Sequence, residues 1–197
     1  TFVFLFFDTI TLKILSKWVG DQNNQRLLYL YWFSPVLIYL TYISASLDLI
    51  VLCFFFLSLN YLFSSKLFLS SLTLGIALST KTVIVLTIPF IFIYLFSNRI
   101  SFKDIFFYFA LTLSTFIFIN FQFIFDKSFL TTIFIDSGQN RILDAYITLG
   151  GNNLYLIPAL FILIIFRGAL IKNFNRDLFM MYLAFGFGIF LVFIKPD

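Results

Sequence analysis

The stretch LFLSSLTLGIALSTKTVIVLTIPFIFIYLF, Leu67–Phe96, holds 30 residues and one charge, Lys81, near its middle. As a single helix it would run about 45 Å at 1.5 Å per residue, against a hydrocarbon core of about 30 Å. It would also strand the Lys81 ammonium in hydrocarbon, at a cost of at least ~2.5 kcal/mol. As two helices, each is short for a full span and the cation sits at the break.

The surrounding charges choose between these readings, because Lys and Arg concentrate on the cytoplasmic side of membrane helices. Take two helices, and let the loop Ser16–Arg26 be cytoplasmic. Lys13, Lys17, Arg26, Lys66, Arg99, Lys103, Arg167, Lys172 and Arg176 then lie inside and Lys81, Lys127, Arg141 and Lys195 outside, a split of 9 to 4. A single span flips every later loop and reduces the split to 7 against 5, with Lys81 in the core. The two-helix reading is therefore preferred. It predicts short helices that enter from the cytoplasmic side and meet at Lys81, beneath the outer surface. The same orientation places Asp48, Asp126, Asp136, Asp144 and Asp197 outside, Asp21, Asp104 and Asp177 inside, and Asp8 within the membrane. The outer face thus carries mixed charge, and the inner face short basic turns.

Composition supports a membrane chain. Hydrophobic residues make up 61% and charged residues 11%, with 32 Phe spread from end to end; mean hydropathy is +1.04. A soluble chain needs roughly a quarter of its residues charged. An outer-membrane barrel would alternate apolar and polar residues in strands of about ten, whereas runs such as Leu47–Phe63 and Ile105–Phe125 are unbroken. The fold class expected is all-α, a polytopic transmembrane bundle of eight helices: Phe2–Leu15, Leu27–Ile43, Leu47–Phe63, Leu67–Ser79, Thr82–Phe96, Ile105–Phe125, Leu154–Phe166 and Leu178–Ile194. Residues 1–197 read as a single partial transmembrane domain. No initiator Met or basic leader precedes Phe2, so an internal piece of a longer protein is expected. With no His and one Cys, no transition-metal site is expected. The +4 net charge fits membrane loops rather than a nucleic-acid surface.

Individual residues carry two readings each. Asp48 is either a capping carboxylate at a helix start or a polar group facing an outer cavity. Lys81 either snorkels to the interface or, flanked by Thr80 and Thr82, binds a phosphate between helix ends. Asp8 must face protein or water. Asn60, Asn120 and Gln122 suit interhelical hydrogen bonds. The loop Asp126–Asn153 is 28 residues, too long for a plain connector. Its Phe129–Ile135 stretch suits a short interfacial helix, and Arg141 an anionic head group or a lipid. Its glycines match no phosphate-cradling pattern. Pro35, Pro89 and Pro158 are tolerated bends.

The order of features resembles the GT-C membrane glycosyltransferases, in the branch of polyprenyl- or dolichyl-phosphate-sugar-dependent mannosyltransferases. Phe4-Leu5-Phe6-Phe7-Asp8-Thr9-Ile10 resembles the apolar-Phe-Asp-apolar stretch of an early helix in that family. Tyr31-Trp32-Phe33-Ser34-Pro35-Val36-Leu37-Ile38 is similar to its Trp-x-x-Asn-Pro-x-x-Ile helix, with Ser34 in place of Asn. Ser44-Ala45-Ser46-Leu47-Asp48-Leu49-Ile50 resembles its small-residue turn before an Asp. Gly75-Ile76-Ala77-Leu78-Ser79-Thr80-Lys81 with Pro89 resembles its Gly-x-Ala-x-x-x-Lys helix pair. The resemblance covers about Phe4–Phe96.

The resemblance implies transfer of a sugar, a hexose such as mannose, from a lipid-phosphate donor to a saccharide or lipid acceptor on the extracytoplasmic face. It implies a bacterial plasma-membrane setting, surrounding membrane lipids, and chemistry with or without a divalent cation. Lys81, with Arg141 or Lys195 assisting, would bind the donor phosphate, and Asp48 would orient a sugar or a helix end. The family's key carboxylate lies in a first outer loop, upstream of these residues, so no catalytic base is assigned. A transporter or flippase of lipid-linked saccharides would instead need polar residues through both halves of the bilayer. A non-enzymatic membrane scaffold would tolerate loss of Lys81.

Overall fold

The helix that begins at Leu67 ends at Thr80, and Lys81 takes extended backbone, φ −150° and ψ 112°. A 3-10 helix, Thr82–Thr87, follows and passes into an α-helix at Ile88. Pro89 explains the change of winding. It has no N–H, and its ring crowds the carbonyl four residues back, so the helix cannot run upstream unbroken. Leu67–Phe96 is therefore two helical segments with Lys81 between them.

The computed structural model describes residues 2–39, 42, 47–134, 145–149 and 151–193, and they are mostly helical. The chain divides into two compact units, Thr1–Lys81 with Tyr108–Ile119, and Thr82–Phe107 with Asn120–Asp197.

In the first unit, α1 (Phe2–Val19) is followed by α2 (Asp21–Trp32), a short α3 (Pro35–Ile38), α4 (Asp48–Phe63) and α5 (Leu67–Thr80). Two expectations need correction here. Ser16–Arg26 is not an open loop: α1 runs on to Val19, Gly20 turns the chain with φ 77°, and α2 starts at once. Glycine takes that positive φ without a Cβ penalty, and Ser16 Oγ reaches Asn24 Oδ1 at 2.7 Å across the corner. Leu27–Ile43 is not one helix either. Pro35 disfavours helical backbone at Ser34 and suits the first turn of a new helix, so α2 stops at Trp32 and α3 starts at Pro35.

Helices α4 and α5 form an antiparallel hairpin closed at Ser64–Lys66. The Lys66 N–H reaches the Tyr61 carbonyl at 2.9 Å and the Ser65 N–H that of Leu62 at 3.0 Å, with Ser65 left-handed at φ 58°. That is a Schellman closure without its usual glycine. Buried hydroxyls zip the seam. Ser58 Oγ donates to the Ser70 carbonyl and Ser70 Oγ to the Ser58 carbonyl, both at 2.9 Å, and Ser70 Oγ lies 3.0 Å from Tyr108 Oη. Small residues on α5 admit a further helix, α7 (Phe102–Asn120), whose residues 108–119 belong to this unit. A Cβ on Gly75 would stand 2.6 Å from Thr115 Cβ and 2.8 Å from the Thr112 carbonyl. Close backbone approach of this kind is how apolar helices associate where burial in lipid adds no driving force. Trp18 of α1 donates to Asn60 Oδ1 of α4 at 3.4 Å, the interhelical role expected for that asparagine.

The second unit holds the 3-10 helix, α6 (Ile88–Ser97), the first turns of α7, α8 (Lys127–Phe134), a hairpin of β1 (Tyr146–Leu149) and β2 (Asn152–Tyr155), α9 (Leu156–Ala169) and α10 (Arg176–Phe193). Its core gathers Phe90, Ile91, Ile157, Phe174 and Phe179. Gly186 lets the Phe90 ring lie on α10, 2.9 Å from where a Cβ would stand. Ser97 Oγ accepts from the Phe174 N–H at 2.9 Å, tying the end of α6 to the turn before α10.

The start of α7 lies three residues earlier than expected, at Phe102, because Ser101 caps it: Ser101 Oγ accepts the Asp104 N–H at 3.2 Å. The helix ends at Asn120 rather than Phe125, where the chain turns with the Phe123 N–H on the Asn120 carbonyl. The short helix expected near Phe129 is present as α8. The β-hairpin was not expected. Leu149 pairs with Asn152 and Gly151 has φ 86°, and a Gly-Gly pair between two strands in the sequence is the chemistry of a tight hairpin. Its second strand takes Leu154 and Tyr155 from the start of the expected helix Leu154–Phe166, and the helix begins at Leu156.

Among the described residues one helix, α7, is long and apolar enough to cross a membrane, and only 17% of its most apolar window is buried. A core helix of a soluble protein would be mostly covered. Shorter apolar helices are Asp48–Phe63, Leu67–Thr80, Thr82–Ser97 and Leu156–Ala169.

Candidate functional site

Because α4 and α5 are antiparallel, the start of one lies beside the end of the other. Asp48 is the first residue of α4 and Lys81 the residue that caps α5. Lys81 Nζ donates to Asp48 Oδ1 at 2.5 Å, and the two side chains are 49% and 47% exposed. The helix dipoles favour this arrangement, an anion at an N-terminus and a cation at a C-terminus. Asp48 is not the N-cap: that position is Leu47, which makes no side-chain cap bond. An ammonium has three donors, the bond to Asp48 takes one, and about half of the side chain faces outward. The pair can therefore present a held cation to an anionic ligand.

A second polar cluster lies inside the same unit. Asp8 is 3% exposed on the inner face of α1. Its Oδ1 accepts from the Tyr31 hydroxyl of α2, and its Oδ2 accepts from the Tyr42 hydroxyl at 2.7 Å. Protein, not lipid, surrounds this carboxylate, and each oxygen has a phenol. Tyr31 and Tyr42 were not singled out in the sequence. Nothing local marks them as carboxylate partners among 10 tyrosines; the turn at Gly20 brings α2, with Tyr31, back along α1, and Tyr42 follows the further helix break at Pro35.

Of the four residues expected at a site, the structure brings Asp48 and Lys81 together, while Arg141 and Lys195 lie outside the described residues. Among the described residues no three of His, Cys, Asp and Glu gather. The carboxylates of Asp8 and Asp48 are occupied by phenols and an ammonium. These residues do not form a donor set for a divalent cation.

No family model, curated protein or solved structure matches this chain. Any functional reading of it rests on the residues themselves.

Proposed function

We propose that this protein is a multi-pass membrane glycosyltransferase of the GT-C kind, transferring a hexose from a polyprenyl-phosphate donor to an acceptor on the extracytoplasmic face of a plasma membrane. Its apolar composition, its outward-facing Phe and Leu side chains and its one-sided Lys and Arg distribution support several membrane passages. The sugar-transfer reading is supported by the ordered stretches around Asp8, Trp32, Asp48 and Lys81 that resemble that family.

The observation that carries the reading is the Lys81–Asp48 pair at the end of the α4–α5 hairpin. When a glycosyl–phosphate bond breaks, negative charge grows on the departing phosphate, and a fixed cation stabilises that charge more than the ground state. Lys81 supplies the cation. Asp48 holds it on the hairpin end, so that little reorganisation is needed when the donor arrives. No residue here is assigned as the base that deprotonates the acceptor.

The test is sugar transfer in membranes from a labelled polyprenyl-phosphate hexose. A half-exposed ion pair contributes only about 0–1 kcal/mol to stability, so its loss leaves the fold intact. Lys81→Ala is expected to lower transfer about 100-fold, the scale of one removed charge-stabilising donor. Full transfer by Lys81→Ala overturns the assignment of Lys81, and no transfer by wild type from any lipid-linked donor overturns the reading itself.

A further inference from the structure

Between α9 and α10 of the second unit runs a groove of about 370 Å³ that the sugar-transfer reading does not use. One wall is Leu160, Leu163, Ile164 and Arg167, the i, i+3, i+4, i+7 spacing that puts side chains on one face of a helix. The facing wall includes Phe185 and Ile189 of α10, also one turn apart. The lining is apolar save at one end, where Arg167 stands in the last turn of α9. Gly168 lets the Tyr182 ring pack 3.4 Å from where its Cβ would be, so the helices touch beside Arg167.

From Leu160 to Arg167 is about 10 Å along the helix, within the roughly 15 Å of one leaflet's hydrocarbon. Lys172 and Arg176 share the Arg167 end of this helix pair, against the single acid Asp177. By the charge distribution this is the cytoplasmic end, where anionic lipids concentrate and basic pockets between helices select their head groups. A guanidinium can bind two phosphate oxygens at once, with its aliphatic stem lying along the apolar wall.

We infer that this groove holds one acyl chain of an anionic phospholipid of the cytoplasmic leaflet, with the lipid phosphate on Arg167. The inference rests on the membrane reading and is independent of sugar transfer. The occupant is a two-chain membrane lipid, because the lining is apolar and its one charge, Arg167, stands at the end that meets the head-group region.

Purified full chain in detergent, given phosphatidylglycerol or phosphatidylcholine of matched chains, is to be weighed by native mass spectrometry. Wild type is expected to retain one phosphatidylglycerol about fivefold over phosphatidylcholine, the scale of one Arg near an anionic head group. Arg167→Gln should erase the preference at unchanged helical circular dichroism, and Arg167→Lys should keep most of it. Leu163→Trp, which fills the groove, should weaken retention of both lipids. Equal retention by wild type, or a preference that survives in Arg167→Gln, overturns the inference. Displacement of phosphatidylglycerol by equimolar polyprenyl phosphate overturns the choice of occupant. Alkaline carbonate extraction separates the two failures. A chain released from membranes ends the membrane reading and this inference together, whereas a chain that stays but shows no lipid preference ends this inference alone.

Discussion

Lys81 Nζ and Asp48 Oδ1 stand 2.5 Å apart although 33 residues separate them in the chain. The contact exists because the Ser64–Lys66 closure folds α5 back along α4, bringing the C-terminus of one helix to the N-terminus of the other. Each charge is also opposite in sign to the dipole end beside it, and so is stabilised there.

This geometry separates stability from function. Asp48→Asn and Lys81→Met are each expected to change unfolding free energy by less than about 1 kcal/mol, since the pair is half exposed. The swapped pair, Asp48→Lys with Lys81→Asp, restores attraction but sets each charge against its helix dipole, a loss of about 0.6–2 kcal/mol. Thermal unfolding of the three variants measures this. Transfer activity should not return in the swap, because the cation then sits on α4. Recovery of activity would show that the pair only holds the hairpin end.

The buried carboxylate on α1 should behave differently. Asp8→Ala leaves the Tyr31 and Tyr42 hydroxyls without their acceptor, at an expected cost of about 2–4 kcal/mol. Asp8→Asn keeps one acceptor oxygen and should lose about half as much. Denaturant unfolding in detergent reads the difference. An Asp8→Ala protein as stable as wild type would contradict a structural role for the cluster.

At Gly75 the two helices leave no room for a side chain. Its Cβ would meet the Thr112 carbonyl at 2.8 Å, and backbone cannot swing aside as a side-chain tip can. Gly75→Ala is expected to cost about 1–3 kcal/mol, the range for overpacked cores. Gly188, with nothing within 4 Å, is the control: Gly188→Ala should be neutral or slightly stabilising, since alanine favours helix. Equal Tm values for the two variants would refute the close contact.

The multi-pass reading makes its own prediction for α7. Of about 28 Å in length, it carries Ser101 before its first residue and Asp126 beyond its end. In a Cys53→Ser background, single cysteines at those positions should label from opposite sides of sealed vesicles, Ser101→Cys from the cytoplasmic side. Labelling of both from one side would exclude α7 as a span.

Local chemistry was enough for much of this. Apolar runs marked most of the helices, segment length and the lone charge marked the break at Lys81, and Phe129 sat in a short helix as its apolar flanks suggested. Pro35 also acts locally: the apolar run continues past it while the helix does not. The Gly150-Gly151 dipeptide is itself a local hairpin signal.

The partners of the two carboxylates were not local properties. Either end of α4 could have met another helix, and only the antiparallel return of α5 puts Lys81 on Asp48. Two of 10 tyrosines reach Asp8, Tyr31 because the turn at Gly20 sets α2 beside α1 and Tyr42 from beyond the break at Pro35. Composition and spacing decide where helices begin and end, through short-range sterics and backbone hydrogen bonds. Which charge finds which partner is decided by how those helices pack, since contacts far apart in sequence form only once the intervening chain has turned.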